Sequence, residues 1–196
     1  MKFISFLIDD ESKFGIFDNK NITDLTNKIK KTKTLKDLIA KKGIREAIEY
    51  ARKNPGNIRT DQIKYLPVIP NPGKIVCVGL NYSEHVEETG KTKEKNPTIF
   101  FRLPQSQTAH KDIIQKPKVS THLDYECEMA VVMGDAGKHI KPENALKHIV
   151  GYSCYNECTV RDWQEHTSQF GMGKNFQKTG SFGPVSYTHL TLPTKA

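Results

Sequence analysis

Apolar and polar positions alternate over short distances in the first 70 residues, which predicts a small α+β unit. Two runs rich in Phe, Ile and Leu, at residues 2–8 and 14–17, are separated by five polar residues. Two short apolar runs joined by a polar turn predict a β-hairpin. Residues 35–53 carry apolar side chains at helical spacing, with a break near Gly43 and an Asn-Pro-Gly stop at the end.

A proline-rich stretch divides the chain into two regions. Residues 66–73 contain three prolines and a glycine, which is typical of an extended linker. We therefore predict a small N-terminal domain at 1–70 and a larger domain at 71–184. In the larger domain the pattern predicts strands at 74–79, 98–102, 123–133 and 149–155, and helices at 83–94 and 142–148.

The last twelve residues do not resemble a natural terminus. The segment from Val185 to Thr194 matches one reading frame of a common sequencing-library adapter. We interpret residues 185–196 as an artefact of the sequenced gene and exclude them from the fold prediction. On this interpretation the natural chain continues beyond Pro184. The alternative is a real edge strand at 185–188.

Composition favours a globular protein of the cytoplasm. Apolar residues make up 36% of the 196 positions and charged residues 27%, which excludes a disordered chain. No apolar run approaches the roughly 20 residues of a membrane helix, and the N-terminus lacks the features of a secretory signal. The four cysteines, at positions 77, 127, 154 and 158, lack zinc-site spacing, and we expect small buried side chains there.

The net charge of +8 has a simple explanation in a lysine-rich surface. Lysines are scattered through every segment, without an Arg-rich stripe or interleaved aromatic residues. We therefore expect no nucleic-acid partner and no membrane partner, although a basic nucleic-acid-associated protein is the alternative that the charge supports. A positive field also draws anionic substrates toward the protein.

Candidate chemistry begins with two glutamates in the predicted strand at 123–133. Strand alternation places Glu126 and Glu128 on one face, about 7 Å apart between their Cα atoms. On this spacing alone, a solvated carboxylate pair and a divalent-cation site are equally good interpretations. Glu157, at the end of another apolar strand, favours the cation site, because three carboxylates form a facial set for Mg²⁺ or Mn²⁺. An ion held there acts as a Lewis acid on an enolisable 2-oxo acid.

Other polar residues are candidates for acid–base and binding roles. His85 and Glu88 lie three residues apart in a predicted helix, where a carboxylate orients an imidazole for general-base catalysis. Such pairs are also common on protein surfaces. Residues 160–176 are dense in polar groups and include Arg161 and Lys174, which can clamp a substrate carboxylate and an enolate oxygen. The glycine-rich stretches lack the spacing of a phosphate-binding loop.

Five motifs occur in order along residues 74–184. They are Val78-Gly79-Leu80-Asn81-Tyr82 followed by His85; Asp124-Tyr125-Glu126-x-Glu128; Gly151-Tyr152 followed by Asn156-x-x-x-x-Arg161-Asp162-x-Gln164; Gly173-Lys174-x-Phe176; and Phe182-Gly183-Pro184. Their combination resembles the fumarylacetoacetate hydrolase family. The resemblance implies a mainly β, α+β fold with an incomplete mixed β-sheet roll, preceded by a small N-terminal α+β domain.

The resemblance also implies an activity. Family members use Mg²⁺ (or Mn²⁺), are mostly homodimers, and act on small 2-oxo or diketo acids. Hydrolysis of a C–C bond in an acylpyruvate-like substrate is the expected reaction. Decarboxylation, isomerisation and hydration are the alternatives within the family, and a non-catalytic small-molecule binding module is the alternative outside it.

Site residues carry over from the matching motifs. The implied metal ligands are Glu126, Glu128 and Glu157. The implied water-activating dyad is His85 with Glu88, on a segment that orders as a lid. The implied substrate contacts are Arg161, Gln164, Lys174 and Arg102, the last at a position where the family often has a lysine.

This sequence departs from the family pattern in two ways. The third metal ligand is usually Asp, and the extra methylene of Glu157 moves its carboxylate by more than 1 Å unless the strand retreats. The resemblance also implies a further C-terminal part of the domain that this sequence does not include, so we expect unpaired strand edges and an inactive fragment.

Overall fold

The chain begins with the β-hairpin that its apolar pattern predicts. The computed structural model describes residues 1–82 and 96–187. Strands β1 (Lys2–Ile8) and β2 (Glu11–Phe17) pair along their whole length. Asp9 and Asp10 join them with φ angles of 51° and 58°. Two central residues in the left-handed region match the twist of the flanking strands, so the turn is tight.

Two helices follow the hairpin and a short third strand, β3 (Ile22–Asp24). Helix α1 (Leu35–Ala40) begins after Thr34, whose side chain accepts a hydrogen bond from the Asp37 amide. Helix α2 (Ile44–Lys53) begins after Gly43, so the predicted break is confirmed. Among the described residues, no helix is long and apolar enough to cross a membrane.

The remaining strands are mostly short. They are β4 (Lys64–Leu66), β5 (Ile75–Gly79), β6 (Thr98–Arg102), β7 (Gln107–Ala109), β8 (Leu123–Asp124), β9 (Cys127–Met133), β10 (Ile149–Glu157), β11 (Thr159–Val160), β12 (Gly180–Phe182) and β13 (Val185–Tyr187). Short helical turns lie at Pro104–Ser106, Pro142–Ala145, Leu146–His148, Arg161–Gln164 and Gly171–Lys174. The helix predicted at 83–94 lies outside the described residues.

A mixed sheet of nine strands forms the framework of the described part. Its order is β3-β2-β1-β13-β10-β12-β7, with β4 also paired to β1 and β9 also paired to β10. Strands β12 and β7 are parallel, and the other pairs in this sheet are antiparallel. Two small antiparallel sheets, β8–β11 and β5–β6, lie beside it. The predicted fold class, a mainly β and incomplete mixed roll, is confirmed.

The apolar core draws on both sides of the predicted domain boundary. Phe3 and Phe14 from the hairpin belong to one buried cluster with Val132 and Phe182. Strand β1 also pairs with β13, where Phe3 lies opposite Val185. The division near residue 70 and the adapter origin of residues 185–196 both stay predictions.

The strand predicted at 123–133 is interrupted, so that part of the prediction is wrong. Strand β8 ends at Asp124 and β9 begins at Cys127. The reason is a change of partner, because β8 pairs with β11 whereas β9 pairs with β10. At the break, the Glu126 amide donates to Asn156 Oδ1 at 3.2 Å, and its carbonyl accepts from the Glu157 amide at 2.9 Å.

The cysteines also differ from the expectation. Cys158 is buried, but Cys127 and Cys154 are exposed, and all four thiols are free. Cys127 lies on the same exposed face of β9 as Met129 and Val131. Burial was expected from residue type alone, whereas exposure depends on which face of the sheet is covered.

We predict that Gly56→Ala destabilises the fold. A Cβ at residue 56 would overlap the backbone of Ile22, which is fixed in β3 and cannot move aside easily. Overpacking of this kind costs about 1–3 kcal/mol in the free energy of unfolding. Urea titration measures the loss, and Gly73→Ala is the matched control because a Cβ there has nothing within 4 Å. Equal unfolding midpoints for the two variants would contradict the packing described.

Candidate metal centre

Three glutamates meet where β9 begins and β10 ends. Glu126 precedes β9, Glu128 is its second residue, and Glu157 is the last residue of β10. The register places Asn156 opposite Cys127, so these strand ends lie side by side. Each glutamate offers one carboxylate oxygen, and the three oxygens lie within 4.8 Å of one another. The structure thus brings together the ligand set predicted from the sequence.

The spacing and chemistry of the three oxygens fit a hard divalent cation. Mg²⁺ and Ca²⁺ bind carboxylate oxygens at roughly 2.0–2.6 Å, so two oxygens on one ion are at most about 5 Å apart. The 4.8 Å limit observed here satisfies this condition. Glu157 is buried, and Glu126 and Glu128 are partly buried, so water alone does not neutralise the set.

A lysine bridges two of the three carboxylates. Lys174 Nζ lies 3.0 and 2.9 Å from the two oxygens of Glu126 and 3.1 Å from Glu157 Oε2. Its side chain is only 3% exposed and lies 5.0 Å from the centre of the Phe100 ring. Burial raises the pKa of Glu126, but Lys174, the Thr159 hydroxyl and Arg161 outweigh burial and hold that pKa below its usual value.

Glu128 is the least compensated of the three carboxylates. Burial raises the pKa of Glu128, a hydrogen bond from Tyr82 lowers it, and the charges of Glu157 and Glu126 raise it again, so the pKa lies above its usual value. Within residues 1–82 and 96–187, the structure shows no ion pair to Glu128. A bound cation would relieve this repulsion directly.

Arg161 joins the cluster to the neighbouring helical turn. Its Nε and Nη2 donate to Asp124 Oδ2 at 3.0 and 2.8 Å, and Nη2 lies 2.9 Å from Glu126 Oε1. Its Nη1 donates to Gln164 Oε1 at 3.0 Å. The β8–β11 pair positions this arrangement, because it places Asp124 opposite Thr159, two residues before Arg161.

An open cleft of about 340 Å³ lies against the carboxylates. This volume is within the range of small-molecule sites. Glu126, Glu128 and Glu157 line it. So do three of the predicted substrate contacts, Arg161, Gln164 and Lys174, and also Tyr82, Phe100 and Phe170.

The other predicted site residues are placed differently. Arg102 does not line the cleft, because its side chain is fully buried behind Glu157. A substrate contact by Arg102 therefore has no support in this geometry. His85 and Glu88 lie outside the described residues, so the dyad stays a prediction.

Sequence reasoning assigned no role to three side chains at the site, although Tyr82 and Asp124 stand in the quoted motifs. Thr159 donates to Glu126 Oε1 at 2.6 Å, Asp124 pairs with Arg161, and Tyr82 lies close enough to Glu128 to lower its pKa. Sequence spacing offered a signal for two of them, since Asp124 is two residues before Glu126 and Thr159 is two after Glu157. In both cases, however, a strand ends between the two residues. Tyr82 gave no such signal, because its contact depends on the approach of a distant segment.

Sequence comparison identifies relatives of the chain. The family model described as fumarylacetoacetate (FAA) hydrolase C-terminal matches residues 74–196. Oxaloacetate tautomerase YisK of Bacillus subtilis (strain 168) is 36% identical over 150 residues, which are 72% of this chain and 50% of that protein. Oxaloacetate tautomerase Fahd2a, mitochondrial, of Rattus norvegicus is 36% identical over 136 residues, 69% of this chain and 44% of that protein. The chain thus spans half or less of these relatives.

Solved structures show the same architecture. A fumarylacetoacetate hydrolase from psychrophilic Exiguobacterium antarcticum is 30% identical with a TM-score of 0.73, covering 94% of this chain and 65% of that one. Maleylpyruvate hydrolase from Sphingobium sp. SYK-6 in complex with manganese (II) ion and pyruvate has a TM-score of 0.76 at 20% identity, covering 98% and 70%, and shows the fold alone. The family model matches more than half of this chain, so the chain belongs to the fumarylacetoacetate hydrolase family.

Proposed function

We propose that this protein is a divalent-metal-dependent enzyme that enolises a small 2-oxo acid, with oxaloacetate tautomerisation as the favoured reaction. One observation carries the proposal: three carboxylates with the spacing of a single cation lie at the wall of a cleft that Arg161, Gln164 and Lys174 also line. The 36% identity to two oxaloacetate tautomerases supports the choice of reaction. The activity is proposed for the whole protein, because the chain spans only part of those relatives.

The site has the groups that enolisation requires. A divalent ion held by the three glutamates would polarise the 2-oxo group and acidify the neighbouring C–H bond. Arg161 and Lys174 place positive charge beside the cleft, where it stabilises the substrate carboxylate and the developing enolate. In tautomerisation a proton leaves carbon and another is added to oxygen, so no bond between heavy atoms breaks. The predicted carrier of the proton is His85, oriented by Glu88.

Hydrolysis of a C–C bond is the second candidate. Its support is the 30% identity to a fumarylacetoacetate hydrolase. The three glutamates that line the cleft of this chain would serve hydrolysis as well as tautomerisation. Hydrolysis begins with the same polarisation of a 2-oxo acid but also needs an activated water. The two reactions therefore share the metal site and differ only in the chemical steps after that polarisation.

We predict that Glu128→Gln weakens the binding of Mg²⁺ and Mn²⁺. Replacing a residue that only supports a metal ligand typically costs 10–100-fold in affinity, so loss of a ligand costs at least about tenfold. Glu128 is preferable to Glu126 for this test, because Glu126→Gln would also weaken one of the two ion pairs of Lys174. Isothermal titration calorimetry measures both affinities. The matched control is Glu143→Gln on an exposed helical turn, which should leave them unchanged. Equal affinities for all three proteins would refute a metal site at these carboxylates.

We further predict that the whole protein, of which this chain is a part, accelerates the interconversion of enol and keto oxaloacetate. Ultraviolet absorbance follows the reaction. Chelation with EDTA should abolish this acceleration, added Mg²⁺ should restore it, and Glu128→Gln should reduce it at least about tenfold. Acetylpyruvate, assayed in parallel, distinguishes hydrolysis from tautomerisation. Cleavage of acetylpyruvate without tautomerase activity would support the second candidate. Turnover of oxaloacetate that survives EDTA would contradict the role of the metal.

A further inference from the structure

Arg102 is a fully buried cation directly behind the carboxylate cluster. Its side chain is 0% exposed. Its Nε donates to Ser106 Oγ at 3.2 Å, and Nη2 donates to Thr179 Oγ1 at 2.8 Å. Its Nη1 donates to Glu157 Oε1 at 3.3 Å and to the Cys158 carbonyl at 3.1 Å. All three guanidinium nitrogens therefore have acceptors, which fixes the plane of the group.

The surrounding residues leave this guanidinium little freedom to move. The Tyr155 ring centre lies 5.9 Å from Arg102 Cζ. On another side, a Cβ at Gly180 would overlap the Tyr155 hydroxyl and lie 3.0 Å from Arg102 Nη2, so this strand packs closely against both side chains. Arg102 is thus held in a packed pocket and does not reach the cleft.

As a consequence, the two oxygens of Glu157 have different surroundings. Oε1 accepts a hydrogen bond from Arg102, on the buried side of the cluster. Oε2 lies 3.1 Å from Lys174 Nζ, which also contacts both oxygens of Glu126. Oε2 thus shares the Lys174 ammonium with Glu126, while Oε1 is bound to Arg102.

The number of oxygens that Glu157 contributes affects which ion fits. Mg²⁺ requires six ligands in nearly ideal octahedral geometry, whereas Ca²⁺ takes six to eight and often binds both oxygens of one carboxylate. A glutamate side chain is long enough to turn both oxygens toward an ion. Restraining one of them keeps the ligand count low and disfavours the larger ion.

We propose that Arg102 is a positioning residue that restricts Glu157 to one metal-facing oxygen and thereby makes the site prefer Mg²⁺ or Mn²⁺ to Ca²⁺. The inference rests on the proposed function, because it requires a divalent ion among the three glutamates. It gives Arg102 a role in metal selection in place of a contact with substrate. Glu157 is longer than the usual Asp at this position, and Arg102 fixes its Oε1, so that Oε2 is the oxygen left to bind the ion.

The test compares metal selectivity in Arg102→Lys and in the unaltered protein. Lysine keeps the positive charge but replaces the planar fork with a single ammonium, which cannot hold the same acceptors. Altering a residue that orients a metal ligand typically changes metal affinity about 10–100-fold. We expect this change to differ between the two ions, so that the ratio of the Ca²⁺ to the Mg²⁺ dissociation constant falls. Calorimetry measures both constants. Ser106→Ala is the matched control: it removes one Arg102 bond without touching Glu157, so the ratio should stay within about twofold.

The ratio of the two dissociation constants distinguishes loss of the Glu157 restraint from a general disturbance of the site. A general disturbance would lower the affinity for both ions by the same factor. An unchanged ratio in Arg102→Lys, with both ions still bound, would overturn the inference and leave the proposed function intact. No binding of either ion to the unaltered protein would instead overturn the proposed function.

A second measurement avoids the risk that Arg102→Lys fails to fold. In a crystal structure of the unaltered protein with Ca²⁺, Glu157 should bind the ion through Oε2 alone while Oε1 stays on Arg102. Coordination through both oxygens would show that Arg102 does not restrain the carboxylate.

Discussion

Mutual repulsion among Glu126, Glu128 and Glu157 is the constraint on which the site depends. Within the described residues, Lys174, Arg161 and Arg102 lie against these carboxylates at 2.9–3.3 Å. Removing one partner of a buried ion pair typically costs 3–5 kcal/mol, because an uncompensated charge remains. The pairing of β9 with β10 brings the carboxylates together, and the segments that follow β10 supply two of the three cations. The topology thus both creates the cluster and supplies the charges that stabilise it.

The neighbouring cations neutralise the three glutamates unequally, and this difference bears on the function of the site. Glu126 and Glu157 share Lys174, whereas Glu128 has a pKa above its usual value because of burial and its acidic neighbours. A cluster evolved only for stability would gain from replacing Glu128 with a neutral residue. Glu128 lines an open cleft, and a cation bound there would neutralise its charge.

Local sequence patterns were sufficient for features that depend on neighbouring residues. Residue chemistry and the family motifs predicted the convergence of the three glutamates, which depends on the pairing of β9 with β10. Local patterns predicted the first hairpin and the helix break at Gly43. They failed where distant partners decide the outcome. The predicted strand is interrupted between Asp124 and Cys127 because β8 and β9 pair with different strands. Arg102 is buried among hydrogen-bond acceptors from distant segments, one of them 77 residues away along the chain. Exposure of Cys127 and Cys154 likewise depends on what covers the sheet, which residue type does not reveal.

A crystal structure determined with Mn²⁺, with anomalous scattering recorded, tests the central claim most directly. We expect an anomalous peak among Glu126, Glu128 and Glu157, at roughly 2.0–2.6 Å from one oxygen of each. The Mn²⁺ ion would then lie beside Lys174 as a second positive charge that contacts both Glu126 and Glu157. A cluster without such a peak at saturating Mn²⁺, with the ammonium still bridging both carboxylates, would show that the three glutamates form an ion-pair network and not a metal site.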